Sequence, residues 1–348
     1  MKIIVGINMK EIKRVFSGVQ PSGDPQLGNY LGAFKGWVDR QSEKENFFCV
    51  VDLHALGAGF VDTVTPDPQQ LVSQTRDLAA ILFACGLDPQ KSTLFVQSHV
   101  PAHAEGCWLL NCVTPLGWLE RMTQFKDKSE GRGSVSTALL DYPVLMAGDI
   151  IFYDAHEVPV GEDQKQHVEL ARDIANRFNS IYGETFVVPE PVIPDIGGRV
   201  MGLNDPMVKM SKSFSHIRGH AVRILDDPKE IERSFMRAVT DSGNEIRFSE
   251  EEEKAGVNNL LGIYKVITGK NEKEVERDFE SARGYGDLKK TVAEVVIEEL
   301  APIREKYEHL MDDVAELDRL LAIGAEHAAS ISTPKVREMK EKMGLIVP

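Results

Sequence analysis

The chain reads as an α/β protein, a doubly wound parallel sheet followed by a C-terminal helical domain. Three observations carry this reading. Asn46 to Asp52, NFFCVVD, is a continuous apolar run closed by an acid, the pattern of a strand buried on both faces. Strand-like and helix-like stretches then alternate up to Gln97, the order expected of a parallel sheet with helices on its faces. Beyond Ser213 the alternation stops, and Leu288 to Leu321 gives long amphipathic helices instead.

The 348 residues suffice for about two domains at roughly 100–200 residues each. A composition of 42% hydrophobic and 27% charged residues is that of a soluble globular protein. The net charge is −14, so nucleic acid would have to be met by local basic patches. Cys49, Cys85, Cys107 and Cys112 form no CxxC pair and read as buried thiols. No signal peptide, disulfide framework or membrane-spanning run is apparent, and a cytoplasmic location is expected. The leading MKIIVGIN reads as an edge strand or as a start ahead of Met9.

Taken in order, Phe16 to Asn29 (FSGVQPSGDPQLGN) passes from a strand end through Gly18, Pro21 and Gly23 to Leu27-Gly28-Asn29 before a helical run. Glycines at such a turn let backbone approach a ligand, and the helix start offers N–H groups to phosphate. Leu31, Phe34 and Val38 give Tyr30 to Arg40 a helical spacing. His54 follows the NFFCVVD strand at its carboxyl end, where ligands of open α/β sheets sit. Asp67-Pro68 caps a helix that runs to Cys85 and stops at Gly86, with Leu71, Val72, Leu78, Ala79 and Leu82 as its apolar face. Thr93 to Gln97 is the next strand, and Trp108, Leu109 and Leu110 belong to a core helix. Lys126 and Lys128 end the segment WLERMTQFKDKS beside Gly131 and Gly133.

Tyr142 to Asp154, YPVLMAGDIIFYD, is apolar except for Asp149 and its closing acid. A charge in the middle of such a helix is costly without a hydrogen-bonding partner, either a structural one or a ligand. Tyr142 and Met146 share its helical face. Glu157 to Gly161 is a short strand, and Glu162-Asp163-Gln164 opens a helix through Tyr182 with acids that suit the helix dipole. The same position puts Asp163 and Gln164 at a strand's carboxyl end. Lys209-Met210-Ser211-Lys212-Ser213 interleaves two lysines with two hydroxyls after the run Ile196 to Met201 and before Gly219, a loop able to donate many hydrogen bonds to a triphosphate. Further on, Ala221 to Arg237 reads as helix, Glu250 to Glu253 as a solvated acidic face, and Thr333-Pro334 as the cap of a last basic helix ending at Lys342.

PSGDPQLGN together with KMSKS resembles the paired signature of class I aminoacyl-tRNA synthetases, and PVGEDQKQHVELARDIANRFN resembles their tryptophanyl branch. Gln26 and Asn29 stand where most of the class has two histidines, a departure common in that branch. The resemblance runs from about Arg14 to Leu345 and implies a Rossmann-like catalytic domain over residues 1–220. A helical anticodon-binding domain over 221–320 and a C-terminal helix over 321–348 packing back on the first are implied with it. It implies formation of tryptophanyl-adenylate from tryptophan and ATP, with Mg²⁺ carried on the ATP phosphates, then transfer to tRNA-Trp, and a homodimer. No protein-bound metal and no iron–sulfur cluster are expected, since all four cysteines precede Val113.

By the same resemblance Lys209, Lys212, Lys128 and Asn29 are the catalytic set. Gln20, Gly28, Asn29, Gly161, Asp163, Val200, Lys209, Met210, Ser211 and Lys212 are implied to meet ATP. Phe16, Gln20, His54, Tyr142, Met146, Asp149 and Gln164 are implied to meet tryptophan, with Asp149 accepting the indole N–H and Gln164 holding the ammonium group. Arg233, Arg237, Lys289, Lys290, Lys335 and Arg337 are candidate tRNA contacts. A tyrosyl enzyme, a nucleotidyltransferase of the same fold and a non-catalytic paralogue that binds tryptophan or tRNA stay open as alternatives.

Overall fold

A computed structural model describes residues 13–59, 67–131, 135–193, 200–210, 217 and 219–348. MKIIVGIN, Gly133, Ser211, Lys212, Ser213 and most of the run before Met201 lie outside the described residues.

Five strands form one parallel sheet in the order β3-β2-β1-β4-β5. They are β1 (Arg14–Val19), β2 (Glu45–Val50), β3 (Ser92–Val96), β4 (Glu157–Pro159) and β5 (Glu190–Val192). The central register pairs Phe16 with Phe47 and Gly18 with Cys49. Every residue of β3, and all of β2 but Glu45, is buried, which is why both read as apolar runs without alternation. The chain leaves β1 towards β2 on one side and later adds β4 on the other. The crevice of a doubly wound sheet opens at such a reversal, beyond the carboxyl ends of β1 and β4.

The first helical stretch is not one regular helix. It runs through α1 (Leu27–Asn29), a π-helical turn (Tyr30–Phe34) and α2 (Lys35–Arg40). Next come α3 (Asp52–Gly59) and α4 (Pro68–Ala84), the latter capped by the Asp67 side chain, which accepts from the Gln69 N–H. Leu78 to Ala84 are buried all round, whereas Val72 is exposed and only the later half of α4 carries the packing. There follow α5 (Ala102–Asn111), α6 (Leu116–Glu120), α7 (Thr123–Ser129), α8 (Thr137–Ile151) and α9 (Lys165–Tyr182), of which α7 and α8, with α3, line the crevice. Trp108 on α5 is 71% exposed, so the core reading of that residue is corrected. It points away from the face that buries Cys107, Leu109 and Leu110.

The helical half consists of α10 (Pro228–Met236), α11 (Ala255–Thr268), α12 (Glu272–Asp278), α13 (Tyr285–Asp312) and α14 (Val314–Lys342). Helix α10 starts at Pro228 rather than Ala221, because the preceding residues pair with the first motif. Leu27 N–H donates to the Val222 carbonyl at 2.8 Å, and Ile224 N–H donates to the Pro25 carbonyl at 3.0 Å. Thr333 and Pro334 cap nothing and lie inside α14. A proline there forfeits a backbone bond and costs about 3 kcal/mol in an isolated helix. Here Ala328, Ser332, Val336 and Met339 are all buried and hold the helix on line.

Helix α14 packs on the edge strand β3 and on α5. Thr93 Oγ1 and His327 Nδ1 are 2.7 Å apart, and Gly324 lies directly over the Leu94 carbonyl. A Cβ on Gly324 would fall 1.9 Å from that oxygen, a backbone atom that cannot swing aside. Gly324→Ala gains about 1 kcal/mol of helix propensity and loses more by pushing α14 off the sheet. A net destabilisation of about 2 kcal/mol is expected, read as a lowered urea midpoint.

Candidate active site

Two crevice walls are made locally. On one side β1 contributes Phe16-Ser17-Gly18, and a Cβ on Gly18 would already sit 3.0 Å from Val51 Cγ1, so the strand lies close to its neighbour here. Opposite, α8 presents Tyr142, Met146 and Asp149 on one face, as their spacing dictates. With Gln20, His54, Gln124, Lys128, Val158, Val160 and Gln164 these residues line a cleft of about 730 Å³. That volume lies in the range that encloses small ligands and cofactors.

Asp149 is 1% exposed and its carboxylate is saturated. Gln97 Nε2 donates to both oxygens at 2.7 and 2.8 Å. His103 Nδ1 lies 2.6 Å from Oδ1, and His54 Nε2 lies 2.8 Å from Oδ2. Burial pushes the carboxyl pKa up, but the hydrogen bonds from His103 and His54 outweigh it and hold the group ionised well below the usual carboxylate range. Gln97 and His103 are both fully buried, so of these donors only His54, whose side chain is 12% exposed, borders the cleft. His103 continues through Nε2 to the Tyr153 hydroxyl at 2.8 Å.

A second cluster stands two turns back along α8, around Tyr142. The Tyr142 hydroxyl lies 2.8 Å from His167 Nε2 and donates to Gln124 Oε1 at 3.2 Å. Lys128 Nζ donates to the same Gln124 oxygen at 3.2 Å and sits 5.8 Å from the centre of the Tyr142 ring. Burial pushes the Tyr142 phenol up to about 12. Across the cleft, Gln20 Nε2 donates to the His54 carbonyl at 3.2 Å.

Of the residues singled out from the sequence, Phe16, Gln20, His54, Lys128, Tyr142, Met146, Asp149 and Gln164 line this one cleft. Gly161 and Asp163 adjoin Gln164, whose Nε2 donates to Asp163 Oδ2 at 2.8 Å. Gly28 and Asn29 are not among the residues that line the cleft, and Gly28 meets the stem of the KMSKS segment. A Cβ on Gly28 would sit 3.0 Å from the Met210 carbonyl oxygen, so glycine permits that approach. The Asn29 side-chain oxygen accepts from the Gln26 N–H at 2.9 Å. Lys209 is exposed, while Val200 and Met210 are buried, so neither of those two side chains is open to a ligand. Ser211 and Lys212 lie outside the described residues.

Lys335 is removed from the basic contacts, since it is tied to Asp154 at 3.0 Å and to the Thr185 carbonyl at 2.8 Å. Sequence reasoning did not reach Gln97, His103, Gln124 or His167. Each is a single polar residue that the fold joins to a partner 18 to 52 residues away, on Asp149 or Tyr142. Among the described residues no group of three or more His, Cys, Asp and Glu side chains is placed to hold a metal, and no helix is long and apolar enough to cross a membrane.

A parallel sheet reversed at β1, a polar-tipped cleft at that point and a lysine-bearing hairpin packed on the first motif define a class I tRNA synthetase. Residues 9–301 match the family described as tRNA synthetases class I (W and Y), and the chain belongs to it. The chain is similar to a tryptophan–tRNA ligase of Caldanaerobacter subterraneus subsp. tengcongensis, at 54% identity over 97% of this chain and 99% of that one. A crystal structure of tryptophanyl-tRNA synthetase from Campylobacter jejuni, complexed with ADP and tryptophan, superposes with a TM-score of 0.81 at 35% identity, covering 95% of this chain and all of that one. The enzyme from Mycoplasma pneumoniae gives 0.85 at 34% identity, covering 96% and 98%.

Proposed function

We propose that the chain is a tryptophan–tRNA ligase, which activates tryptophan with ATP and passes the tryptophanyl group to tRNA-Trp. The observation that carries this is Asp149, ionised inside an apolar helix at the inner end of the cleft, with Tyr142 and Met146 on the same face. An indole N–H needs such an acceptor, and a plain hydrocarbon ring would leave it unmatched. Because all lone-pair directions of the carboxylate are taken, the indole enters by displacing one donor. His54, the one bordering the cleft, is the donor that yields. Phe16 and Met146 then flank the ring, while Gln164 and Gln20 meet the amino-acid head.

The tryptophan carboxylate attacks the α-phosphate in line. A C–O–P bond forms, the bond to the β-phosphate breaks and pyrophosphate leaves. The terminal ribose hydroxyl of tRNA then takes the acyl group, and AMP departs. The attacking carboxylate is already a nucleophile, so the protein supplies position and positive charge rather than a base. Lys128, Lys209 and Lys212 with the amide of Asn29 meet the phosphates, Gly28 and the main chain at Val200, Met210 and Ser211 border the nucleotide, and Gly161 and Asp163 hold the ribose. ATP enters as its Mg²⁺ complex, the ion held by the phosphates. Residues 1–220 form the catalytic domain, 221–320 bind the anticodon, and 321–348 pack back on the catalytic domain. The enzyme works in the cytoplasm.

The deciding experiment is ATP–pyrophosphate exchange run with every standard amino acid. Exchange with tryptophan alone is expected, and exchange with tyrosine at equal kcat/KM would overturn the reading. A homodimer is part of the same proposal. Its support is the exposure of two large apolar side chains, Trp108 at 71% and Leu116 at 57%, which a partner's surface would cover. Trp108→Glu is expected to shift the protein from dimer to monomer in sedimentation. An unchanged dimer would place the interface elsewhere.

A further inference from the structure

His167, on the first turn of α9, is 1% exposed, and the reaction as described does not use it. Its Nε2 lies 2.8 Å from the Tyr142 hydroxyl, and the two rings stand 5.4 Å apart. Its Nδ1 is buried and has no hydrogen-bond partner. Burial, assisted by the charge of Lys128, pushes the imidazole pKa down to about 4, so the ring is neutral at pH 7.

A neutral imidazole has one proton to place. On Nδ1 it would be a buried N–H with no acceptor. On Nε2 it leaves only a bare lone pair, and orphaned buried donors are the rarer and costlier defect. The Nε2 proton therefore points at the Tyr142 oxygen. The Tyr142 proton is directed in turn to Gln124 Oε1, which also receives Lys128 Nζ. One chain of hydrogen bonds thus runs from His167 through Tyr142 and Gln124 to Lys128, and the last three of these line the cleft.

We propose that His167 is a positioning residue for amino-acid binding: by donating to the Tyr142 hydroxyl it fixes the wall of the tryptophan slot and, through Gln124, the resting place of Lys128. This rests on the reading of the cleft as a tryptophan site. The chemistry admits a sharp test, because a glutamine amide reaches about as far as Nε2 and an asparagine amide only as far as Nδ1. His167→Asn is expected to raise KM for tryptophan about tenfold, the worth of one hydrogen bond, with kcat changed by less than about threefold. His167→Gln is expected to restore KM to within about twofold of the parent. In a Tyr142→Phe background His167→Asn should change KM by less than about twofold, since the hydroxyl it acts through is gone.

Equal effects of His167→Asn with and without the Tyr142 hydroxyl would overturn the proposal, as would a fall in kcat at unchanged KM. If His167→Asn fails to fold, the comparison of His167→Gln in the two backgrounds decides, and a shift of KM above about threefold in both would sink it. Parent protein that shows no tryptophan-dependent exchange would fault the reading of the site. Parent protein that exchanges normally beside variants of unchanged KM would fault the role of His167.

Discussion

Asp149→Ala is expected to lower kcat/KM for tryptophan in pyrophosphate exchange by roughly 10²–10³, with KM for ATP little changed. Two losses combine. A hydrogen bond from the indole to a charged acceptor is worth about 1.5–3 kcal/mol. The second loss is structural, because Gln97, His103 and His54 all donate to this carboxylate, and Gln97 and His103 are fully buried. Removing the acceptor orphans buried donors at about 1–3 kcal/mol each, which the slot recovers only by rearranging. Asp149→Asn keeps the volume and separates the terms. One oxygen still accepts, but the amide group faces a donor, so the variant should fold and still lose more than about tenfold in kcat/KM. A loss below that, in a folded variant, would take Asp149 out of recognition.

The same carboxylate sets a pH dependence whose sign can be worked out. Its folded pKa is depressed, since hydrogen bonds from His103 and His54 override the upward push of burial. The stability it contributes is therefore complete above the unfolded value of about 4 and is lost as the pH falls through the folded one. In acid titrations of unfolding, the parent should lose its advantage over Asp149→Asn below about pH 4 and keep it at neutral pH. An advantage that grew on acidification would contradict the assignment.

What could be read from the chain beforehand divides along a physical line. NFFCVVD and YPVLMAGDIIFYD carry their burial in their own composition, and the strand β2 and the helix α8 follow. Asp149 was visible because a charge inside an apolar helix is anomalous wherever it is met. Gln97 and His103 were not, since a lone glutamine or histidine acquires meaning only when the fold brings it to a carboxylate some 50 residues away. Trp108 and Pro334 failed for a related reason. Residue type suggested a core and a cap, whereas the facing of α5 and the packing of α14 on β3 decided otherwise. Asp227-Pro228 was the same start signal that placed α4 correctly, and it outranked the helical look of the six residues before it.

Lys212→Ala is expected to lower kcat of tryptophan-dependent exchange by about 10²–10³ while KM for tryptophan moves less than about threefold. The argument comes from the stem that carries the segment. Met201 and Lys209 form an antiparallel bridge, Met210 N–H donates to the Val200 carbonyl at 3.0 Å, and Gly202 N–H donates to the Val208 carbonyl at 2.8 Å. Beyond the segment, His220 returns to this stem, with Nδ1 2.7 Å from Asn204 Oδ1 and Nε2 3.3 Å from the Lys209 carbonyl. Asn259 on α11 grips the Met201 main chain from the other side, its amide oxygen accepting at 2.8 Å and its nitrogen donating at 2.9 Å. Met210 is thereby fixed against Gly28, at the point where the described part of the KMSKS segment ends. An ammonium group that meets the departing pyrophosphate gains importance only as the α–β bond breaks. Such a contact strengthens in the transition state, so its loss falls on kcat rather than on tryptophan binding. Exchange at the parental rate would remove Lys212 from the reaction, and a rise in KM for tryptophan at constant kcat would move it from the phosphates to the amino acid.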